Sequence, residues 1–302
     1  MMPTVNREYK DRLFNFIFGH EDNRAWTLSV YNAVNGTSYT DPELIQINTI
    51  KDVLYLGMHN DVSFLIAGEV NLYEQQSTFN PNMPLRLLQY LGNLYEKYVT
   101  ENNLNKYGSE RIDLPVPKLV VFYNGEKEQP DELMLRLSDA FPEGADADVE
   151  VRVRMLNINH GRNSKLLNAC QPLKEYSWLM NRIRDNIREN KKAGIDKDQV
   201  VIKAVDQAIE ETPMDYVLKP FLEVHRAEVK GMLLTEYNEA EAMKLFELDG
   251  ERRGIRIGRT EGENNMADLM QRLFAEGRVE DARRAASDQA FRNHLFKEYS
   301  IM

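Results

Sequence analysis

The stretch that decides the fold runs from Asn60 to Arg86, NDVSFLIAGEVNLYEQQSTFNPNMPLR. Val62 to Ile66 and Val70 to Gln76 are runs rich in β-formers, and Ala67-Gly68-Glu69 between them has a turn composition. A similar run, Val53 to Met58, precedes them across His59-Asn60-Asp61. Together they predict an antiparallel meander. Pro84 opens a helix in which Leu85, Leu88, Leu91, Leu94, Tyr95 and Tyr98 recur at three- and four-residue steps. Leu119 to Tyr123 (LVVFY) reads as a buried strand stopped by Asn124-Gly125, and Val149 to Leu156 (VEVRVRML) as a strand with one wet face. Upstream, Tyr9 to Gly19 and Asp22 to Val34 read as helices, the second with Asp22 as N-cap and Asn35-Gly36 as its stop. This order predicts the α/β class, a mixed β-sheet flanked by helices.

Beyond Gln171 the pattern is helical throughout: Pro172 to Asn190, Gln199 to Glu211, Pro220 to Tyr237 and Ala240 to Leu248. Glu189 to Lys197 (ENKKAGIDK) reads as a linker. Gly250, Gly254, Gly258 and Gly262 are spaced four apart among charged residues, which predicts a flexible or weakly helical hinge. Met266, Leu269, Met270, Leu273 and Phe274 then form an amphipathic helix ended by Gly277. That helix is either a self-association element, making the chain a homo-oligomer through its C-terminal helices, or simply packs on its own core. The expected division is 1–190, a sheet-bearing domain; 191–249, a helical extension; and 250–302, a glycine-punctuated tail.

Composition narrows the class. Of 302 residues, 42% are hydrophobic, enough for a core, and 14 Tyr, 12 Phe and 13 Met argue against a disordered chain. Mean hydropathy is −0.54, and no run approaches the roughly 20 apolar residues of a membrane span, so no membrane partner is expected. Cys170 is the single cysteine, which excludes an internal disulfide and a cysteine-cluster zinc site. The opening MMPTVNREYKDRLF places charges before any apolar run, unlike a secretory signal, and a cytoplasmic location is expected. Asp and Glu number 48 against 38 Lys and Arg, a net charge of −10 that argues against a coat-type nucleic-acid binder. No G-x-S-x-G, P-loop or G-x-G-x-x-G occurs.

The acids carry the chemistry. Asp61 enters the second strand and Glu74 lies near the end of the third, so a meander brings them together at one edge of the sheet. Two carboxylates at that distance repel unless a cation sits between them, and hard oxygen ligands suit Mg²⁺ or Mn²⁺. Gln76 shares a face with Glu74 by the two-residue strand repeat. By spacing alone, solvated turn carboxylates are the commoner explanation of such a pair. His59 is close in sequence and reads as a turn histidine.

These residues carry a family resemblance. Asp61 followed by Glu74-Gln75-Gln76, in this order of elements, resembles the PD-(D/E)xK nuclease superfamily. The segments DRLFNFIFG (Asp11 to Gly19), YNAVNG (Tyr31 to Gly36), NDVSFLI, NLYEQQSTFNPNMPLR and VVFYNG (Val120 to Gly125) are similar to its Rpn branch of recombination-promoting nucleases, also described as YhgA-like transposases. LRLSDAF (Leu135 to Phe141) and MLNINHG (Met155 to Gly161) extend the likeness over nearly the whole chain. The resemblance implies a restriction-endonuclease-like core and Mg²⁺-dependent (or Mn²⁺-dependent) DNA endonuclease activity. It makes Asp61 and Glu74 metal ligands, with the Gln75 backbone carbonyl as a third, and Asp11 a further acidic position. Gln76 stands where many members have Lys; it can orient a water by hydrogen bonding and can be neither a base nor a cation. Asn15 likewise replaces a lysine common in relatives.

DNA is the expected partner. Arg86 is a candidate phosphate contact, and Arg86, Lys97, Lys106, Arg111 and Lys118 lie between the acidic motif and the next strand, suggesting a locally basic groove with salt-sensitive binding. Tyr90, Tyr95 and Tyr98 alternate with these bases, where they either stack bases or fill the core. The competing reading is a catalytically inactive nuclease-fold binding or regulatory protein that assembles through its helical tail.

Overall fold

The structure is a computed structural model that describes residues 13–47 and 61–301. Asp11, His59 and the expected strand Val53 to Met58 lie outside the described residues. The chain divides into two compact units, one ending at Tyr237 and the other beginning at Asn238.

Among the described residues, the first unit is a mixed six-stranded sheet covered by helices. Its strands are β1 (Gln46–Ile47), β2 (Asp61–Ile66), β3 (Glu69–Gln76), β4 (Val116–Tyr123), β5 (Glu132–Arg136) and β6 (Arg152–Asn157), in the spatial order β1-β2-β3-β4-β6-β5. β1 pairs antiparallel with β2 and β2 with β3, β3 pairs parallel with β4 and β4 with β6, and β5 closes the far edge antiparallel to β6. Ala67 and Gly68 join β2 to β3 with φ of 49° and 77°. That left-handed pair fits the right-handed twist of a two-residue hairpin. α3 (Met83–Glu101) makes the crossover from β3 to parallel β4.

Alternation along the strands sorts two cores. Val70, Leu72, Val121, Tyr123, Val153 and Met155 point to one face, where α3 adds Met83, Leu87, Tyr90, Leu91 and Leu94. The sequence stripe beginning at Leu85 is therefore displaced around the helix, and Leu85 itself is half exposed. Phe64, Tyr73, Val120, Phe122 and Leu156 point to the other face. There they meet α1 (Leu13–Phe18), α2 (Arg24–Asn35), α4 (Ser164–Ala169) and α5 (Gln171–Lys192). All four apolar residues of α1 that helical spacing selected, Leu13, Phe14, Ile17 and Phe18, are buried.

α2 starts later than expected. One tighter turn, Glu21–Asn23, precedes it, and Asp22 does not cap it. Gly36 stops α2 at φ 68°, as read.

The stretch expected to be a linker is instead the tight corner of a helical hairpin. α5 ends at Lys192, Gly194 takes φ 73°, and α6 (Lys197–Glu211) returns. Val201, Val205, Ala208 and Ile209 of α6, with Leu218, Leu222 of α7 (Lys219–Val224) and Val229, join the same core as the sheet. The unit boundary at 237 thus falls between the expected boundaries at 190 and 250.

α8 spans Arg226–Ala275. The expected glycine hinge is helical throughout, because backbone hydrogen bonding continues past each glycine. The second unit folds the end of α8 against α9 (Val279–Ser287) and α10 (Gln289–Glu298). Leu269 and Leu273 are buried there with Ala282, Ala285, Leu295 and Phe296. Of the amphipathic stripe, Leu269 and Leu273 pack within the unit while Phe274 stays exposed, so both expected roles, self-association and packing on its own core, remain open to the stripe. No helix among the described residues is long and apolar enough to cross a membrane.

Candidate metal centre at the end of the β2–β3 hairpin

The hairpin register sets the site. Its tight turn pairs Ile66 with Glu69, and counting back along the ladder pairs Asp61 with Glu74. Directly opposite positions have Cβ atoms about 5 Å apart, and like charges there destabilise the pair. Glu74 and Gln76 occupy the α3 face of β3, while Gln75 falls on the opposite face. Register thus brings Asp61, Glu74 and Gln76 to one end of one hairpin.

Glu74 is buried, with its side chain only 3% exposed, and its Oε1 lies 2.9 Å from Arg86 Nη2. Arg86 sits in the first turn of α3, and the same Nη2 donates to the Tyr90 hydroxyl at 3.1 Å. Gln76 Nε2 donates to Glu74 Oε1 at 3.3 Å and also contacts Met83 Sδ. The Gln76 amide is therefore tied to Glu74 and to the start of α3. Gln75 Nε2 donates to Asn124 Oδ1 at 2.5 Å, bridging the ends of parallel β3 and β4.

The sequence offers Arg86 as a phosphate contact or as a solvated charge at the start of the helix. Its guanidinium instead answers a buried carboxylate. It supplies, from the helix, the positive charge that Gln76 lacks on the strand. An Arg one turn into the helix after an E-x-Q strand is the signal that points to this pairing.

The donor set tests the metal. Aspartate and glutamate at paired positions offer hard oxygens of the kind Mg²⁺ and Mn²⁺ take, and a cation there relieves their repulsion. On donor chemistry alone these residue types suit such an ion, while Glu74 Oε1 is already engaged by Arg86. No group of three or more His, Cys, Asp or Glu with metal-holding geometry occurs among the described residues. The first-helix acid Asp11 lies outside them.

The expected basic groove is largely neutralised. Lys97 pairs with Glu101 at 3.7 Å, Lys118 with Glu69 at 3.2 Å, and Lys106 with Glu96, while Arg86 is held by Glu74. Tyr90 packs in the core and Tyr95 donates to the Pro115 carbonyl at 2.8 Å, so neither is a free stacking platform. Cys170 is fully buried, and burial pushes its thiol pKa up, as expected for a packed thiol.

No protein-family model, curated protein or solved structure matches this chain.

Proposed function

We propose that the chain is a metal-dependent DNA endonuclease with a restriction-endonuclease-like core, of the recombination-promoting kind. The observation that carries this reading is the β2–β3 register, which sets Asp61 opposite a buried Glu74 beside a parallel β3–α3–β4 crossover. In this reading Asp61 and Glu74 hold Mg²⁺ or Mn²⁺, with the Gln75 carbonyl as a further oxygen donor and Asp11 completing the acidic set. When bound, the ion polarises the scissile phosphate and lowers the pKa of a water. Gln76 positions its neighbour Glu74 through its Nε2, and its carboxamide oxygen can accept a hydrogen bond from a water. Arg86, a third exposed in its side chain, can turn one N–H from Glu74 toward an arriving phosphate.

A second reading has its own observation. The Arg86–Glu74 pair already neutralises the buried carboxylate, which suits a nuclease fold kept for binding or regulation without turnover. Titrating Mg²⁺ into supercoiled DNA with wild type and Glu74→Gln separates the two. The endonuclease nicks DNA only with the ion and only with Glu74 intact; the binder retains DNA or protein affinity and never nicks.

A further inference from the structure

A second polar centre lies at the carboxyl ends of β4 and β6. The hydrogen bond from Gln75 to Asn124 leads to it, and it takes no part in the metal site. There a cavity of about 530 Å³ is lined by residues 125–129, by Asn157, Asn159, His160 and Arg162, and by one face of α5. Ligands of open α/β sheets favour this position, outside the carboxyl ends of parallel strands.

Arg184 reaches the cavity from α5 and is mostly withdrawn from solvent. Its Nη1 donates to Asn159 Oδ1 at 2.9 Å, and its Nη2 donates to the Asn124 backbone carbonyl. Both partners are neutral. No carboxylate forms an ion pair with Arg184 among the described residues, whereas Arg162 is paired with Glu128 at 2.6 Å and Arg188 with Asp185. Burial pushes the Arg184 pKa down, with Glu126 among the groups that offset it, as expected for a cation whose lost hydration is incompletely replaced. A guanidinium has five N–H donors, and the two bonds above leave three for a ligand.

The asparagines hold the fork in place. Asn159 Nδ2 donates to the Gly125 carbonyl at 3.0 Å, and the Asn159 N–H donates to Asn157 Oδ1 at 3.1 Å. Asn157 Nδ2 in turn donates to the Gln129 carbonyl at 2.9 Å. The lining carries Lys127, Arg162, Arg184 and Arg188 against Glu126 and Glu128, so 4 − 2 = +2 in a chain of net −10.

We infer that this cavity is an anion site that takes a phosphoryl group on the Arg184 fork, with Lys127 and Arg188 at its rim. Geometry favours phosphate over a simple halide, because a pre-positioned planar fork matches two oxygens at once. Two sources share that chemistry, a free nucleotide and a phosphate of a DNA strand. The inference stands apart from the nuclease reading and needs no metal.

The test uses the full chain in EDTA and chloride buffer, which silences the metal centre. Inorganic phosphate, dAMP, and a short oligodeoxynucleotide with and without a 5′-phosphate are titrated by calorimetry and thermal unfolding. Phosphate and at least one nucleotide probe should bind and raise the unfolding temperature of wild type. Arg184→Lys, which keeps the charge and loses the fork, should weaken phosphate binding about tenfold or more. Lys127→Ala, at an exposed rim position, should weaken it by a smaller factor and guards against a folding defect at position 184. dAMP binding without oligonucleotide binding identifies a free nucleotide as the source; binding that needs the 5′-phosphate identifies a strand end. Absence of binding by every probe to folded wild type at millimolar concentration overturns the inference. So does undiminished phosphate binding by both variants.

Discussion

Replacing Arg86 by Met keeps most of the aliphatic stem and removes the guanidinium that faces Glu74. The size of the effect follows from the two exposures. Glu74 is 3% exposed in its side chain, so it cannot recover hydration when its partner goes. Breaking a fully buried pair costs about 3–5 kcal/mol. Here Arg86 is 33% exposed and Gln76 still donates to the same oxygen at 3.3 Å, which lowers the expectation. A loss of about 2–3 kcal/mol remains. Glu74→Gln should cost less, because the freed guanidinium can reach water. The double variant should be more stable than the sum of the single losses predicts, with a coupling of about 1–2 kcal/mol. Urea unfolding read by tryptophan fluorescence measures this cleanly. Both tryptophans, Trp26 and Trp178, lie in the first unit and pack edge-on against Phe221 and Tyr216. Mg²⁺ should recover part of the Arg86→Met loss, since a cation held by Asp61 and Glu74 replaces the missing charge. A variant within about 0.5 kcal/mol of wild type, or strict additivity in the double variant, refutes the pairing as a structural element.

Other consequences are simpler to state. Gly254, Gly258 and Gly262 are exposed in α8, with nothing within 4 Å of an added Cβ. Each change to Ala should stabilise the helix by about 0.5–1 kcal/mol; a fall in helical circular dichroism or in unfolding temperature would show that the segment needs a break there. Gly125→Ala should do the reverse. An added Cβ would sit 2.2 Å from the Ser77 carbonyl oxygen and 2.6 Å from the Tyr123 hydroxyl. That overpacking costs about 2–3 kcal/mol in the same urea assay, and an unchanged midpoint would contradict the close approach of β4 to the chain after β3. Glu211 accepts hydrogen bonds from Arg182, which hold its carboxyl below the ordinary value of 4.5. A depressed pKa adds stability above the unfolded value and loses it as pH falls through the folded one. Wild type should therefore lose stability faster than Glu211→Gln on acidification below about pH 4.5; parallel acid limbs would remove Glu211 from the account.

The sheet was legible where local chemistry and burial agree. In the hairpin, Ala67-Gly68 supplies the turn and the β-forming runs on either side supply the strands. Asp61 and Glu74 then fall opposite one another by counting. α1 was legible because the four apolar residues that helical spacing selects, Leu13, Phe14, Ile17 and Phe18, face one core. β5 was missed because Glu132, Met134 and Arg136 present polar or exposed groups at the sheet edge and only Leu135 is buried. β1 is two residues long, too short for any periodicity. The glycine series suggested a hinge because propensity counts each glycine as a loss, yet a long helix can carry the deficit. The fork at Arg184 had no signal at all. It depends on a helix 60 residues away in sequence meeting the Asn124 carbonyl at the end of β4. Likewise Arg86 was visible as a charge, and only the packing of α3 against β3 turns it toward Glu74.

The central claim is that the end of the β2–β3 hairpin holds a catalytic divalent ion. The most direct measurement follows conversion of supercoiled plasmid to nicked and linear forms by wild type, Asp61→Asn and Glu74→Gln, with Mg²⁺ and with EDTA, all three confirmed folded by tryptophan fluorescence. The account predicts cleavage by wild type with Mg²⁺ alone and a fall of about 100-fold or more in either variant, the scale on which enzymes lose rate with a metal-dependent transition state. Equal cleavage by all three proteins, or none by folded wild type with either Mg²⁺ or Mn²⁺, contradicts it.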